Sequence, residues 1–272
     1  MTEPIRDAPG VNFSWERGYF RQTPDDRRGP REPDAVRRKN IDFLRLKDLA
    51  IHLVDPRPGV RVLELGCGSG AQLVNCGLLG AEVHGVDLEE SVVTLANAKL
   101  GHLKIQGEAR VDDVGALSYP DDNFDVVLSS DCHEHLPPDL QSRSLREALR
   151  VLKPGGRLVL KTPNRAYLTL SLQLKRMAGL FRFQNPFSFV MPHVNETGPG
   201  AHVGLTTRWT LSKQLYDAGY LNYEFHHPAL RRLGPRWLMD VLSTEIPIVR
   251  DVTSEDLILI AYKPIALSFF PD

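Results

Sequence analysis

Cysteine is scarce in this chain. Cys67, Cys76 and Cys132 are an odd number without CxxC spacing, which excludes a disulfide framework and a zinc knuckle and points to a reducing cytoplasm. No run approaches the roughly 18 apolar residues that a membrane-spanning helix needs. The opening MTEPIRDAPG has no apolar stretch of the kind a secretory signal requires. Charge of either sign is not in excess: 33 Lys and Arg face 34 Asp and Glu, a formal charge of -1. Binding to phosphate backbones usually needs a basic surface, so nucleic acid is not an expected partner. What is present is ordinary for a soluble globular protein: 42% hydrophobic and 25% charged residues over 272 positions, one generous domain or two small ones.

Residues 1–33 carry Pro4, Pro9, Pro24, Pro30 and Pro33 and no apolar periodicity, and they read as a flexible arm or lid. Its aromatic patch, Phe13 and Trp15 with Tyr19 and Phe20, suits docking onto the domain or over a ligand. From Asp34 to 265 the chain reads as one domain. A helix with Val36, Phe43, Leu46, Ala50 and Leu53 on one face comes first. Strands at 61–65, 81–87, 108–111, 124–130 and 157–162 then alternate with helices at 71–79, 89–100 and 140–152, and KPGG reads as the turn before the fifth strand. A helix at 208–218, a strand near 220–226 and a last strand at 256–262 follow. This alternation predicts an α/β fold with a mostly parallel, doubly wound sheet, whose ligands sit beyond the carboxyl ends of the strands. Residues 163–207 and 229–252 interrupt the pattern as insertions.

VLELGCGSG (62–70) is the strongest local signal. Gly66, Gly68 and Gly70 follow a strand and open a helix, so backbone amides can approach a ligand closely. Asp87 stands at the end of the second strand, 21 residues after Gly66, where a carboxylate can accept from both hydroxyls of a ribose. The same glycines with Ala71 also satisfy the dinucleotide pattern, so NAD(P) is a rival ligand. Glu64 argues against it. A carboxylate two residues before the first glycine opposes a pyrophosphate but suits an ammonium and a sulfonium. The bland alternative is a strand-end Glu in a surface salt bridge.

The ordered series ELGCGSG, GVDLEE, VDDVGALSYPDDNFDVVLSSDCHEHL and REALRVLKPGGRLVLKTPN resembles the class I methyltransferases that use S-adenosylmethionine (SAM). The resemblance covers residues 60–165 well and 205–262 loosely. It implies a Rossmann-like seven-stranded sheet of order 3-2-1-4-5-7-6 with the last strand antiparallel and an insertion after the fifth strand. It also implies SAM held by Glu64, Gly66, Cys67, Gly68, Gly70 and Asp87. By the same match Asp113 bonds the adenine amino group, Val114 and Leu88 flank the ring, and Ser130 and Asp131 approach the methionyl part. Asp112, where the family often has Gly, is the neighbour that could exchange roles with Asp113.

An oxygen acceptor must lose a proton, which calls for a base or a metal. DCHEHL (131–136) offers both. His135 or His133 could act as base, with Glu134 beside them. Similarity to the ubiquinone-pathway O-methyltransferases, where E-x-x-E-H binds magnesium, would instead make Asp131, Glu134 and His135 ligands of a divalent cation. In many relatives the Glu–His pair only braces the loop. In the insertion, Tyr167, Leu170, Leu174, Met177, Ala178 and Phe181 make a helix face, although Leu168, Leu170, Leu172 and Leu174 also keep a strand period; length favours the helix. Lys175, Arg176 and Arg182 beside Phe181, Phe183, Phe187 and Phe189 could rest on a membrane surface or cap an apolar acceptor, unless the segment buries its own aromatics. His193 and His202 are further substrate-side candidates.

The expected function is SAM-dependent methylation of a small molecule, at a hydroxyl oxygen. The alternatives are an NAD(P)-dependent oxidoreductase and a catalytically silent SAM-binding scaffold.

Overall fold

The computed structural model describes residues 46–191, 201–226 and 251–265. The N-terminal arm, His193, and the 229–252 insertion up to residue 250 lie outside the described residues. Chain order is α1 (Leu46–Val54), β1 (Arg61–Leu65), α2 (Ala71–Leu78), β2 (Glu82–Asp87), α3 (Glu90–His102), β3 (Gly107–Val111), β4 (Phe124–Ser130), α4 (Pro138–Val151), β5 (Leu152–Pro163), α5 (Arg165–Phe181), α6 (Arg208–Ala218), β6 (Asn222–His226) and β7 (Asp256–Tyr262). The strands form one seven-stranded sheet, β3-β2-β1-β4-β5-β7-β6. The pairs from β3 to β5 are parallel, and β7 runs antiparallel to both β5 and β6. The expected order and strand direction are therefore what the chain adopts.

The sheet forms because its strands are apolar on both faces, which suits burial under helices on each side. Val62, Val83, Val126, Leu128 and Val159 pack with α1, α2 and α3. The residues beside them, Leu63, Val127, Leu158 and Leu160, point the other way and pack with α4 and α6. Each fully buried aliphatic side chain contributes roughly 1.5–3 kcal/mol of transfer free energy. KPGG is not a turn ahead of the fifth strand. It lies inside β5, where Phe124 pairs with Leu152 but Val126 pairs with Arg157, so residues 153–156 bulge from the ladder.

Because β1 to β5 are parallel, their carboxyl ends share one edge. The chain leaves β1 toward β2 on one side and returns at β4 on the other, so the two connections diverge and a crevice opens past Leu65. Two buried amides fasten what lies above it. Asn164, fully buried, donates from Nδ2 to the carbonyls of Asp251 (2.7 Å) and Ser254 (2.9 Å), while its Oδ1 caps α5 by accepting the Ala166 amide at 3.0 Å. Gln141 of α4 donates to the carbonyls of His133 (2.8 Å) and Gly204 (2.7 Å) and accepts from Gln214 of α6 at 2.8 Å. The Gly204 amide donates to the Glu134 carbonyl at 2.8 Å. A side chain on Gly204 would collide with the Leu136 carbonyl, so only glycine allows segment 201–206 to lie this close to the turn after β4.

His133 belongs to this joint. Its ring is buried, with Nε2 3.4 Å from the Gln214 Oε1, and burial pushes its pKa from 6.5 down to about 4. Unfolding therefore takes up a proton between those two values. The stability that depends on the neutral ring is complete above pH 6.5 and is lost as pH falls toward 4. His133→Gln keeps a donor for Gln214 and removes the titration. Melting curves at about pH 7 and about pH 5 should show a larger loss of Tm for the parent than for this variant; equal losses would contradict the assignment.

Candidate active site

The glycine turn is shaped by contact on two sides and by space on the third. Gly66 (φ 65°), Gly68 (φ 47°) and Gly70 (φ 79°) all occupy the left-handed region that other residues avoid. A Cβ on Gly66 would lie 2.6 Å from the Cys132 sulfur, and one on Gly70 would lie 2.9 Å from the Ala96 Cβ. At Gly68 no described residue stands within 4 Å of such a Cβ. Cys67 ties the turn to β2: its amide donates to the Val86 carbonyl at 3.0 Å and its carbonyl accepts the Gly70 amide at 2.9 Å. Below, Lys99 of α3 is buried and donates from Nζ to the Ser69 carbonyl (2.6 Å) and hydroxyl (2.9 Å).

Carboxylates stand at the ends of β1 and β2. Asp87 accepts the Gly68 amide on Oδ2 at 2.9 Å and the Glu89 amide on Oδ1 at 3.1 Å, and each oxygen keeps a lone pair for a further donor. Glu64 is buried at the end of β1, 3% exposed. The Cys132 thiol is pushed up to about 12, first by burial and then by Glu134, Asp87 and Glu64. Burial and the carboxylates of Glu64 and Asp87 likewise hold the Cys67 thiol protonated. Three acids thus act on one buried sulfur at the base of the turn and disfavour its thiolate. Neither cysteine is placed to act as a thiolate.

The loop after β3 divides two neighbouring acids between different tasks. Asp112 accepts the Asp113 amide (2.9 Å) on Oδ1 and the Ser118 amide (2.9 Å) and hydroxyl (2.8 Å) on Oδ2, which braces the loop. Among the described residues the Asp113 side chain accepts only the Gly115 amide, on Oδ1 at 2.8 Å. Val114 is buried and Leu88 is 68% exposed.

Past β4 the chain turns sharply. Ser130 is buried, and Asp131 has φ 57° with its amide on the Lys161 carbonyl at 3.0 Å. The Asp131 carboxylate pairs with the Lys161 ammonium, which also lies 3.5 Å from Asp256. Burial alone would lower the Lys161 pKa, but Asp256 and Asp131 together carry it above its ordinary value. Burial pushes Asp256 up to about 6 against the pull of Lys161. Glu134 is 1% exposed and accepts the Thr162 hydroxyl at 2.9 Å; burial raises its pKa. His135 is half-buried, with Nδ1 3.1 Å from the Ala201 carbonyl and its ring in edge contact with His202, centroids 5.1 Å apart. Ligand atoms of Glu134, His135 and His202 lie within 4.8 Å of one another. Asp131 is not in that group. Its carboxylate is held by Lys161, and the acid–Glu–His set expected from the resemblance does not converge. His133 points instead into the joint with Gln214.

Within the insertion after β5, Arg165–Phe181 is helical, as its length implies. Its apolar face is not self-buried: Leu174, Met177, Leu180, Phe181, Phe183 and Phe187 are exposed, while Phe189 packs against Gly179. No described helix is long and apolar enough to cross a membrane.

Lys99, Lys161, Gln141 and Thr162 escaped the sequence reading. Lys99 left one signal, a charge among Val93, Ala96 and Leu100 on the buried side of α3. The others form contacts across elements and left none.

Residues 63–160 match a family model described as a methyltransferase domain. The ubiquinone biosynthesis O-methyltransferase of Xanthomonas oryzae pv. oryzae (strain PXO99A) is 33% identical over 150 residues, 54% of this chain and 59% of that one. The 27-O-demethylrifamycin SV methyltransferase of Amycolatopsis mediterranei (strain S699) is 33% identical over 119 residues, 43% of each chain. This chain thus spans less than two thirds of the length of either relative. A SAM dependent methyltransferase from Archaeoglobus fulgidus superposes with a TM-score of 0.54 over 84% of this chain and 96% of its own; at 20% identity the likeness carries the fold alone. The matched segment holds the glycine turn, Asp87 and the turn after β4, and it favours the methyltransferase reading of the glycines over the dinucleotide one: residues 63–160 are similar to methyltransferase domains, and both named relatives are methyltransferases.

Proposed function

We propose that the protein transfers a methyl group from SAM to a hydroxyl oxygen of a small molecule, in a reducing cytoplasm where its three cysteines stay thiols. The observation that carries this reading is the Gly68 amide on Asp87 at 2.9 Å, in a glycine turn where no described residue stands within 4 Å of a Cβ on Gly68, with Glu64 buried at the end of the preceding strand. A cationic nucleoside fits that arrangement and a dinucleotide pyrophosphate does not.

In this reading the lone pairs left on Asp87 accept the two ribose hydroxyls. Glu64 lies toward the ammonium and sulfonium end. The second oxygen of Asp113 accepts from the adenine amino group, with Asp112 keeping the loop in shape and with Val114 and Leu88 on the ring faces. Ser130 and the Asp131–Lys161 pair support the methionyl part. Bound SAM supplies an electrophilic methyl group on a good leaving group, so alignment in a site shielded from water provides most of the acceleration. The acceptor must also lose its proton. His135 donates from Nδ1 to the Ala201 carbonyl, which leaves the Nε2 lone pair to take that proton as the new C–O bond forms. The exposed apolar face of α5, with Lys175, Arg176 and Arg182 and no acid between Arg165 and Met191, favours an apolar acceptor.

Calorimetric titration of purified protein should give micromolar-range SAM affinity. Asp87→Ala removes both ribose bonds and should weaken it by at least about tenfold, a single hydrogen bond to a charged group being worth roughly 1.5–3 kcal/mol. Unchanged affinity would contradict the ribose assignment. Gly68→Ala and Gly66→Ala should behave differently. Both carry the cost of a left-handed backbone; the first also intrudes on the cofactor space and should lower affinity, while the second also collides with Cys132 and should lower Tm more than the first. With a phenolic acceptor that turns over, His135→Ala should cut kcat by about 100-fold or more while SAM affinity stays within about twofold. An unaffected kcat would remove His135 from the mechanism.

A further inference from the structure

The cation set implied by the resemblance does not assemble, yet a different one does. Asp131, which would be the first ligand, is paired with the buried Lys161, so a cation there would share its carboxylate with an ammonium. Glu134, His135 and His202 instead bring one carboxylate oxygen and two ring nitrogens within 4.8 Å of one another.

Each part of this second set is already supported. Thr162 holds the Glu134 carboxylate through a 2.9 Å hydrogen bond. The Ala201 carbonyl fixes His135 with Nδ1 as donor, which leaves Nε2 as the ligating lone pair, the arrangement found around metal-binding histidines. His202 arrives on segment 201–206, and that segment is not loosely placed. The Gly204 amide bonds the Glu134 carbonyl, Gln141 bonds both the His133 and the Gly204 carbonyls, and the lack of a Cβ at Gly204 permits the approach. Donor chemistry then selects the ion. Magnesium prefers oxygen ligands in near-ideal octahedral geometry, whereas two imidazoles and a carboxylate are typical of zinc and the late first-row metals, with a further position left for water or an oxygen ligand.

We propose that Glu134, His135 and His202 form a binding site for a divalent transition ion of the zinc class, with Asp131 outside it. The site does not depend on the methyl-transfer reading. With an ion bound, the His135 lone pair is committed, and the ion would supply the acidity at an acceptor hydroxyl that the free imidazole otherwise provides.

The test uses the untagged full chain, stripped of metal by chelation. Cobalt titration followed by visible absorption should show one ion per chain, displaced by zinc and not by millimolar magnesium. His202→Ala, His202→Gln and Glu134→Gln should each weaken cobalt and zinc binding by at least about 100-fold, since losing a ligand costs no less than losing the partner that supports it. Asp131→Asn, which tolerates the same backbone conformation, should stay within about threefold. Circular dichroism melts identify any variant that fails to fold, and either His202 variant suffices. The proposal is overturned by the absence of stoichiometric cobalt or zinc binding, by undiminished binding in a folded His202 variant, or by magnesium binding lost in Asp131→Asn. Titrating the same parent sample with S-adenosylhomocysteine reports separately on the cofactor reading: cobalt binding without nucleoside binding would leave this site standing and remove that one.

Discussion

The Gly68 amide donating to Asp87 across the head of β1 and β2 is the contact on which the rest of the site depends. It exists because β1 and β2 are neighbours in register, with Leu65 opposite Val86, so the glycine turn leaves one strand as the acid leaves the other. It also sets the turn's height over the crevice. From there Gly66 can rest on Cys132 and Gly70 on Ala96 only without side chains, and Lys99 secures the far end through Ser69. Reversal of strand order between β1 and β4 keeps helices out of the space above. The outcome is a cleft with a backbone of fixed shape and a negative field.

A second centre lies alongside, organised by a different device. The turn after β4 is held from outside by Gln141 and from within by Thr162, and it receives segment 201–206 as its other wall. Residues that are consecutive in sequence are thereby sent to separate tasks. His133 faces the joint with α6, Glu134 faces Thr162, and His135 faces His202. Asp131 is drawn off by Lys161, itself shared with Asp256 of the antiparallel β7. The local chemistry of DCHEHL is therefore decided by β5, β7, α4, α6 and the insertion together.

This explains what could be read from the chain and what could not. The strands at 61–65, 124–130 and 256–262 were legible to the residue, because continuous apolar runs between helical stretches have few other solutions in a sheet covered on both faces. The glycine turn and Asp87 were legible because strand, turn and acid are local features at fixed spacing. KPGG misled, since a Pro–Gly–Gly stretch signals a turn and a bulge inside a ladder uses the same residues. Spacing could not separate Asp112 from Asp113, because the difference lies in which one Ser118 engages. Nor could it pair His135 with His202, 67 positions away, or withdraw Asp131 into an ion pair with Lys161. Each of those is a long-range contact, and no local pattern encodes it.

A crystal structure of the chain with S-adenosylhomocysteine tests the central claim most directly. The account predicts the adenosine seated past Leu65, its ribose hydroxyls on Asp87 and its adenine amino group on Asp113, with the sulfur toward the turn after β4. Density for the nucleoside elsewhere, or a ribose without contact to Asp87, would contradict it.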